Sequence, residues 1–168
     1  MSVSQSRMAS SRMEGNLCES RFAAIFPGIK PSTKEENIFK HIDFFLPDGT
    51  SVDVKGKNKP DEIWVEILNV KGNKGWLYGE ADIIAFELVE VGGFVMVNTD
   101  ELRVFVAKHV QKEFTSKHES YRKLYRRKGR LDIITKLYIT DIMSLPSTTV
   151  VHFSRTFSDK EDGSLINF

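Results

Sequence analysis

Residues 41–56 predict a β-hairpin, and this segment constrains the fold more than any other part of the chain. Pro47-Asp48-Gly49 fits a three-residue loop, because proline suits the first turn position and glycine suits the left-handed position that follows. With this loop the residues that flank it pair with each other, and Asp43 lies opposite Asp53. Side chains alternate between the two faces of a strand. The apolar face, predicted to be buried, consists of Ile42, Phe44, Leu46, Val52 and Val54.

The other face of the hairpin is polar and gathers Asp43, Asp53 and Lys55. Two convergent carboxylates can bind a hard divalent cation such as Mg²⁺. A neighbouring lysine can orient a water molecule or hold a phosphate. A one-residue slip would send Asp43 to the opposite face and break the site. Only the predicted register places the two carboxylates and the lysine on one face, where they could support metal-assisted hydrolysis of a phosphodiester.

Composition sets broad limits on the fold and on the chemistry. The chain has 168 residues, 40% of them apolar, which is enough for one domain with a real core. Its net charge of +1 is nearly neutral, so only the distribution of charge bears on nucleic-acid binding. The single cysteine, Cys18, excludes an intrachain disulfide and a cysteine-based zinc site. No apolar run approaches the ~20 residues of a membrane span, and the start of the chain has no apolar signal-peptide region.

The remaining patterns predict an α+β fold with one mixed β-sheet flanked by helices around one core. We expect a flexible tail over residues 1–13, a single domain over 14–158 and a loosely held tail over 159–168. Helices are predicted over residues 16–26, from a cap at Asn98 towards Phe114, and from Thr140. The other predicted strands are 63–70, 82–88, 94–97, 121–127 with 130–138 as a second hairpin, and 150–153.

Asp43 followed by Asp53-Val54-Lys55 resembles the motif of the PD-(D/E)XK nucleases, the restriction-endonuclease-like phosphodiesterases. Asp43 matches the first acid of the motif, Asp53 the second and Lys55 the lysine. Ile42 stands where the family name has proline, and the second acid is Asp rather than the more frequent Glu. The resemblance covers about residues 14–140 and implies a restriction-endonuclease-like core.

The resemblance also implies a metal-dependent nuclease that hydrolyses DNA with Mg²⁺ or Mn²⁺. The implied metal ligands are Asp43, Asp53, the Val54 carbonyl and Glu19. Glu14 is an alternative to Glu19 as the acid on the preceding helix. Lys55 would orient the attacking water, and Glu66 on the third strand would support the site. Glu66 is also notable by itself, because a carboxylate within an apolar strand needs a partner.

Residues 63–69, 75–78 and 81–85 look like small phage-type members of this superfamily. This likeness suggests recombination, repair or degradation of DNA, with Holliday-junction resolution among the options. It also suggests a cytoplasmic protein, including a phage protein in its host cell, and allows a homodimer. Tyr121 and Tyr125 lie within a basic cluster that starts at Lys117. The residues predicted to contact DNA are Lys57, Lys74, Arg122, Lys123, Arg126, Arg127, Lys128 and Arg130.

Several alternatives stay open at this point. The basic cluster also fits a solvated charged face, and Trp64 and Trp76 fit the core or its rim better than base stacking. The four histidines show no metal-ligand spacing. A catalytically inactive nuclease fold that binds DNA or serves in assembly is the main alternative function. A structural module with no nucleic-acid partner is a third, and salt-sensitive binding to DNA would argue against it.

Overall fold

The computed structural model describes residues 3–59, 61–88 and 92–153, and the predicted tail over 159–168 lies outside them. The helices are α1 (Val3–Ala23), α2 (Thr99–His109) and α3 (Ile139–Met143). A π-helical turn covers Glu36–Lys40 and a 3₁₀ turn covers Trp76–Tyr78. The strands are β1 (Lys30–Pro31), β2 (Phe44–Phe45), β3 (Ser51–Asn58), β4 (Ile63–Leu68), β5 (Ile83–Leu88), β6 (Gly93–Asn98), β7 (Gln111–Phe114), β8 (Lys123–Tyr125), β9 (Ile133–Leu137) and β10 (Thr149–His152).

The strands form two mixed sheets rather than the one sheet that the sequence predicted. The larger sheet has the order β1-β2-β3-β5-β6-β10, and the smaller has the order β4-β9-β8-β7. In the larger sheet β3 and β5 run parallel, and in the smaller sheet β7 and β8 do. The α+β class is therefore confirmed, but the strands are divided between two sheets instead of forming one. The division arises because β4 pairs with the distant β9 instead of joining its sequence neighbours.

Two apolar clusters lie on opposite faces of the larger sheet, where a single core was expected. One cluster joins alternate residues of β5 and β6, such as Ile84 and Val97, to the smaller sheet, α2 and α3. The other packs the opposite face against α1, through Cys18 and Phe22. Strands β5 and β6 are thus covered on both faces, which explains their nearly continuous apolar sequences.

The predicted hairpin forms with the predicted register. Phe44 pairs with Val52, and the backbone N–H of Leu46 donates to the Thr50 carbonyl across the loop. Gly49 has a φ of 91°, the left-handed conformation that the loop requires. The buried residues Ile42, Phe44, Val52 and Val54 turn away from Asp53 and Lys55, as the alternation predicted. The pattern of turn and apolar residues was sufficient to place this element.

Two helix boundaries differ from the sequence prediction. Helix α1 begins at Val3 instead of Asn16, so most of the segment predicted as a tail is helical. This segment contains neither proline nor a run of β-branched residues, and it continues the helix that Phe22 and Cys18 anchor to the sheet. Helix α2 has the predicted Asn98 cap but ends at His109. The residues predicted to extend it as far as Phe114 instead pair with β8.

None of the helices in the described part of the chain is both long enough and apolar enough to cross a membrane.

Candidate active site

Two hydrogen bonds hold the Asp43 side chain across the hairpin. Its Oδ2 accepts from the backbone N–H of Val54 at 2.7 Å, and its Oδ1 accepts from Asn37 Nδ2 at 2.5 Å. Because a strand residue directs its N–H and C=O to the same side, the Val54 carbonyl lies on the side of Asp43. The first acid of the predicted motif is therefore fixed beside the strand that carries the second acid.

Asp53 is a buried carboxylate, 2% exposed, on the face of β3 that looks towards the smaller sheet. Its Oδ1 lies 2.6 Å from Lys55 Nζ. Its Oδ2 is buried and has no hydrogen-bond partner among the described residues. Burial raises the pKa of Asp53 to about 7; Lys55 opposes the rise, and Asp43 adds to it through its charge and a hydrogen bond. Asp43 and Asp53 are thus neighbours across the hairpin.

Lys55 stays charged at the centre of this group. Burial alone would lower its pKa, but the carboxylates of Asp53, Asp43 and Glu66 raise it above the ordinary lysine value. The Nζ atom also lies over the ring of Trp76, 5.3 Å from its centroid. A fixed cation therefore lies beside the two aspartates.

The fold brings both additional acids, Glu19 and Glu66, to the same cluster. Burial raises the pKa of Glu19, and Asp43 raises it further while Lys55 lowers it. Burial also raises the pKa of Glu66, although the hydrogen bond from the Trp76 backbone N–H and the charge of Lys55 lower it in part. Glu14, the alternative to Glu19, is exposed on α1. Within the ranges described above, no three Asp, Glu, His or Cys side chains converge as a ready-made metal cage.

A cleft of about 380 Å³ opens beside the cluster. Glu66 and Trp76 form the wall of the cleft next to Lys55. Trp64, Tyr125, Arg127 and Lys117 line the rest. The cleft thus runs from the acidic cluster to the predicted basic hairpin, whose strands β8 and β9 pair through Leu124 and Thr135.

Of the residues predicted to contact DNA, Arg127 is the one that lines this cleft, and its guanidinium is held by the buried Asp132. Arg122 pairs with Asp141 and Lys123 pairs with Glu113, so both are partly neutralised. Lys74, Arg126, Lys128 and Arg130 are exposed. The side chain of Lys57 lies outside the described part of the chain. The structure therefore brings one predicted DNA contact to the site and leaves most of the others on the surface.

Three residues make contacts at the site that the sequence did not predict. Asn37, from the π-helical turn, binds Asp43, yet no sequence pattern joins these two residues. Trp76 packs at the rim of the core, as predicted, and its ring also lies under Lys55 Nζ, which was not predicted. His41 is half-buried next to the site, and its pKa is lowered first by burial and then by Lys55. Its position directly before the hairpin was the only sequence signal.

Comparisons of the chain with protein-family models, with curated proteins and with solved structures return no match.

Proposed function

We propose that this protein is a metal-dependent nuclease of the restriction-endonuclease-like type, which hydrolyses DNA phosphodiester bonds. The observation that carries the proposal is geometric: Asp43 Oδ2 accepts from the Val54 N–H at 2.7 Å, beside Asp53, and Lys55 Nζ lies 2.6 Å from Asp53 Oδ1. Glu19 and Glu66 approach the same lysine and aspartates from other elements. Acids from α1, the hairpin and β4 thus approach the same lysine, which supports the proposal.

The aspartate pair fits a divalent cation. Asp53 Oδ2 is a buried acceptor without a hydrogen-bond partner among the described residues. Such an atom is costly unless it is protonated or ligated. The adjacent Asp43 carboxylate and the Val54 carbonyl add the hard oxygen donors that Mg²⁺ and Mn²⁺ prefer. Asp43, Asp53 and Val54 would therefore hold the metal, which would supply Lewis acidity towards a phosphate oxygen.

The protein's own groups would do the remaining work. Lys55, kept charged by its acidic neighbours, would orient the attacking water and offset the negative charge that develops at the phosphorus. Glu66, on β4 of the smaller sheet, would restrain Lys55, and the hydrogen bonds from Asn37 and Val54 would hold the Asp43 carboxylate in one orientation. The cleft beside Lys55 would admit the DNA strand and align its phosphate with this lysine.

The test is DNA cleavage by the purified protein with Mg²⁺ or Mn²⁺ and with EDTA. Linear duplex, single-stranded and four-way-junction substrates would be compared. We expect metal-dependent cutting that falls at least about 100-fold in Lys55→Ala. Lys108→Ala, which removes an exposed lysine on α2, is the matched control and should cut normally. Metal-independent cutting, or cutting that survives Lys55→Ala, would contradict the proposal.

The second candidate function is a nuclease fold that binds DNA without cutting it. Its support is that Lys55 Nζ already pairs with Asp53 Oδ1, at 2.6 Å, where a metal would bind. Absence of cutting on every substrate, with salt-sensitive DNA binding retained, would favour this candidate.

A further inference from the structure

The cleft beside Lys55 is lined by aromatic rings that other contacts hold in place. Trp64 and Tyr125 face each other with ring centroids 6.0 Å apart and planes inclined at 49°. Trp64 Nε1 donates to Glu62 at 2.9 Å. Trp76 packs edge-on against Phe86, with centroids 5.9 Å apart. The three rings at the cleft are half-buried, so each combines a fixed position with surface that a ligand can reach.

The charges around these rings suit an anionic ligand at one end. Lys117 and Arg127 line the cleft; buried Asp132 fixes the Arg127 guanidinium and partly neutralises its charge. Glu66 lines the same cleft, close to both Lys55 and Arg127. A ligand that carries both a flat ring and a phosphate matches this arrangement, because the ring can stack while the phosphate meets a cation. The volume of about 380 Å³ falls in the range of small-molecule pockets.

We propose that this cleft binds an unpaired nucleobase of the DNA strand, next to the phosphate that is cut. This inference rests on the proposed nuclease function and specifies its substrate class. Bases within a duplex are stacked on one another and cannot enter such a cleft without being extruded. The enzyme therefore selects DNA with unpaired nucleotides, such as single strands, flaps or branch points, over intact duplex.

The two tryptophans provide a local test, because Trp64 and Trp76 are the only tryptophans of the chain and both line the cleft. In EDTA, where cutting is not needed, the full chain would be titrated with a short oligothymidylate. An abasic deoxyribose-phosphate chain of the same length is the control probe. We expect the oligothymidylate to quench tryptophan emission and to bind about 5- to 100-fold more tightly than the abasic chain. Equal affinity for the two probes would overturn the proposal.

A variant pair tests the stacking directly. Tyr125→Leu should lose most of the preference for oligothymidylate over the abasic chain, whereas Tyr125→Phe, which keeps the ring, should retain it. Tyr78→Leu removes an exposed tyrosine outside the cleft and should behave like the unchanged protein. An unchanged preference in Tyr125→Leu would count against the stacking role. If Tyr125→Leu does not fold, the comparison of the two probes on the unchanged protein still decides the question.

The outcome is separable from that of the proposed function. Base-dependent quenching in a protein that cuts no substrate would support the proposed base pocket and contradict the proposed nuclease function. Metal-dependent cutting with equal affinity for the two probes would support the nuclease function and overturn the base pocket. A protein that cuts duplex as fast as single strands would also overturn the selection for unpaired nucleotides.

Discussion

The Asp43 carboxylate accepts a hydrogen bond from the backbone N–H of Val54, the residue that separates Asp53 from Lys55. This bond ties the end of one strand to the centre of the next, so the two acids and the lysine form one rigid unit. Asn37 holds the other oxygen of Asp43. The orientation of the first acid therefore depends on a residue that would touch neither metal nor DNA.

Replacing Asn37 with alanine should weaken Mg²⁺ or Mn²⁺ binding by about 10- to 100-fold, as is usual when a partner of a metal ligand is lost. The Asp43 carboxylate would then rotate more freely, while the exposed turn would lose little stability. Calorimetric titration of the metal measures the effect. Asn16→Ala, at an exposed position on α1, makes the same chemical change away from the site and should leave affinity unaltered. Equal affinity in Asn37→Ala and the unchanged protein would refute this role.

The metal-free protein should lose stability as the pH rises from about 4 to 7. Asp53 has a pKa of about 7 in the folded protein, against an ordinary value of 3.8, chiefly because it is buried. Between these values the folded state holds a proton that the unfolded state has released. The free energy of unfolding therefore falls as the pH rises through the folded pKa, by at most about 4 kcal/mol.

Denaturant unfolding in EDTA at several pH values measures this dependence, and Asp53→Asn is the control. An amide at this position does not titrate, so the difference between the two proteins isolates Asp53 from its neighbours Glu19, Glu66 and His41. We expect the variant to show a flatter profile between pH 4 and 7. Parallel profiles for the two proteins would show that Asp53 is already ionised throughout this range.

The ion pair between Arg21 and Glu87 should be a main anchor of α1. Glu87 is 2% exposed, and Arg21 binds it through Nε at 2.5 Å and Nη2 at 2.9 Å. Removing the arginine leaves a buried carboxylate, so Arg21→Ala should lower the free energy of unfolding by about 2–4 kcal/mol. The value is towards the low end for a broken buried pair because the Arg21 side chain is 42% exposed.

The pH dependence of this effect has a definite sign. Burial tends to raise the pKa of Glu87, but the hydrogen bonds from Arg21 and Cys18 bring it below the ordinary glutamate value. The stability supplied by the pair is therefore present at neutral pH and is lost as the pH falls through that lowered pKa. Thermal unfolding at neutral and acidic pH would show the difference, with Arg12→Ala, an exposed arginine on the same helix, as control. Equal losses in the two variants at neutral pH would contradict the anchoring role.

The hairpin and the motif could be predicted from the sequence because they depend on neighbouring residues. Pro47-Asp48-Gly49 sets the loop, and strict alternation sets which residues share a face. The place of Glu19 came from a family resemblance rather than from spacing, and the structure brings it near Asp43. The partition into two sheets was not predictable, since β4 has an alternation that fits either sheet. Its partner β9 begins 65 residues after the last residue of β4.

The parts of the site that were missed depend on contacts between distant segments. Trp76 reaches Lys55 because the 3₁₀ turn lies against β4, with Gly75 packed directly on the Glu66 carbonyl. Lys117 and Arg127 meet Glu66 at the cleft through the pairing of β4 with β9 and of β9 with β8. No local pattern specifies such pairings, so the cleft became visible only in the folded chain.

Divalent metal should stabilise the protein at pH 8, where Asp53 is ionised beside Asp43. A ligand at 100 times its dissociation constant adds about 2.7 kcal/mol to the free energy of unfolding, which corresponds to roughly 5–10 °C in a chain of this size. Thermal unfolding with Mg²⁺ or Mn²⁺ against EDTA measures the shift. Ca²⁺, which accepts the same oxygen donors, tests how far the site discriminates by ion size.

Two variants separate metal binding from catalysis. Asp53→Asn should abolish the thermal shift, because it removes a charged oxygen ligand. Lys55→Ala should keep the shift or enlarge it, because it removes a cation that competes for Asp53 Oδ1, while it abolishes cleavage. Loss of the shift in Lys55→Ala would mean that the lysine holds the acids in place rather than acting on the water. A thermal shift that persists in Asp53→Asn would show that the metal binds at a site other than this aspartate pair.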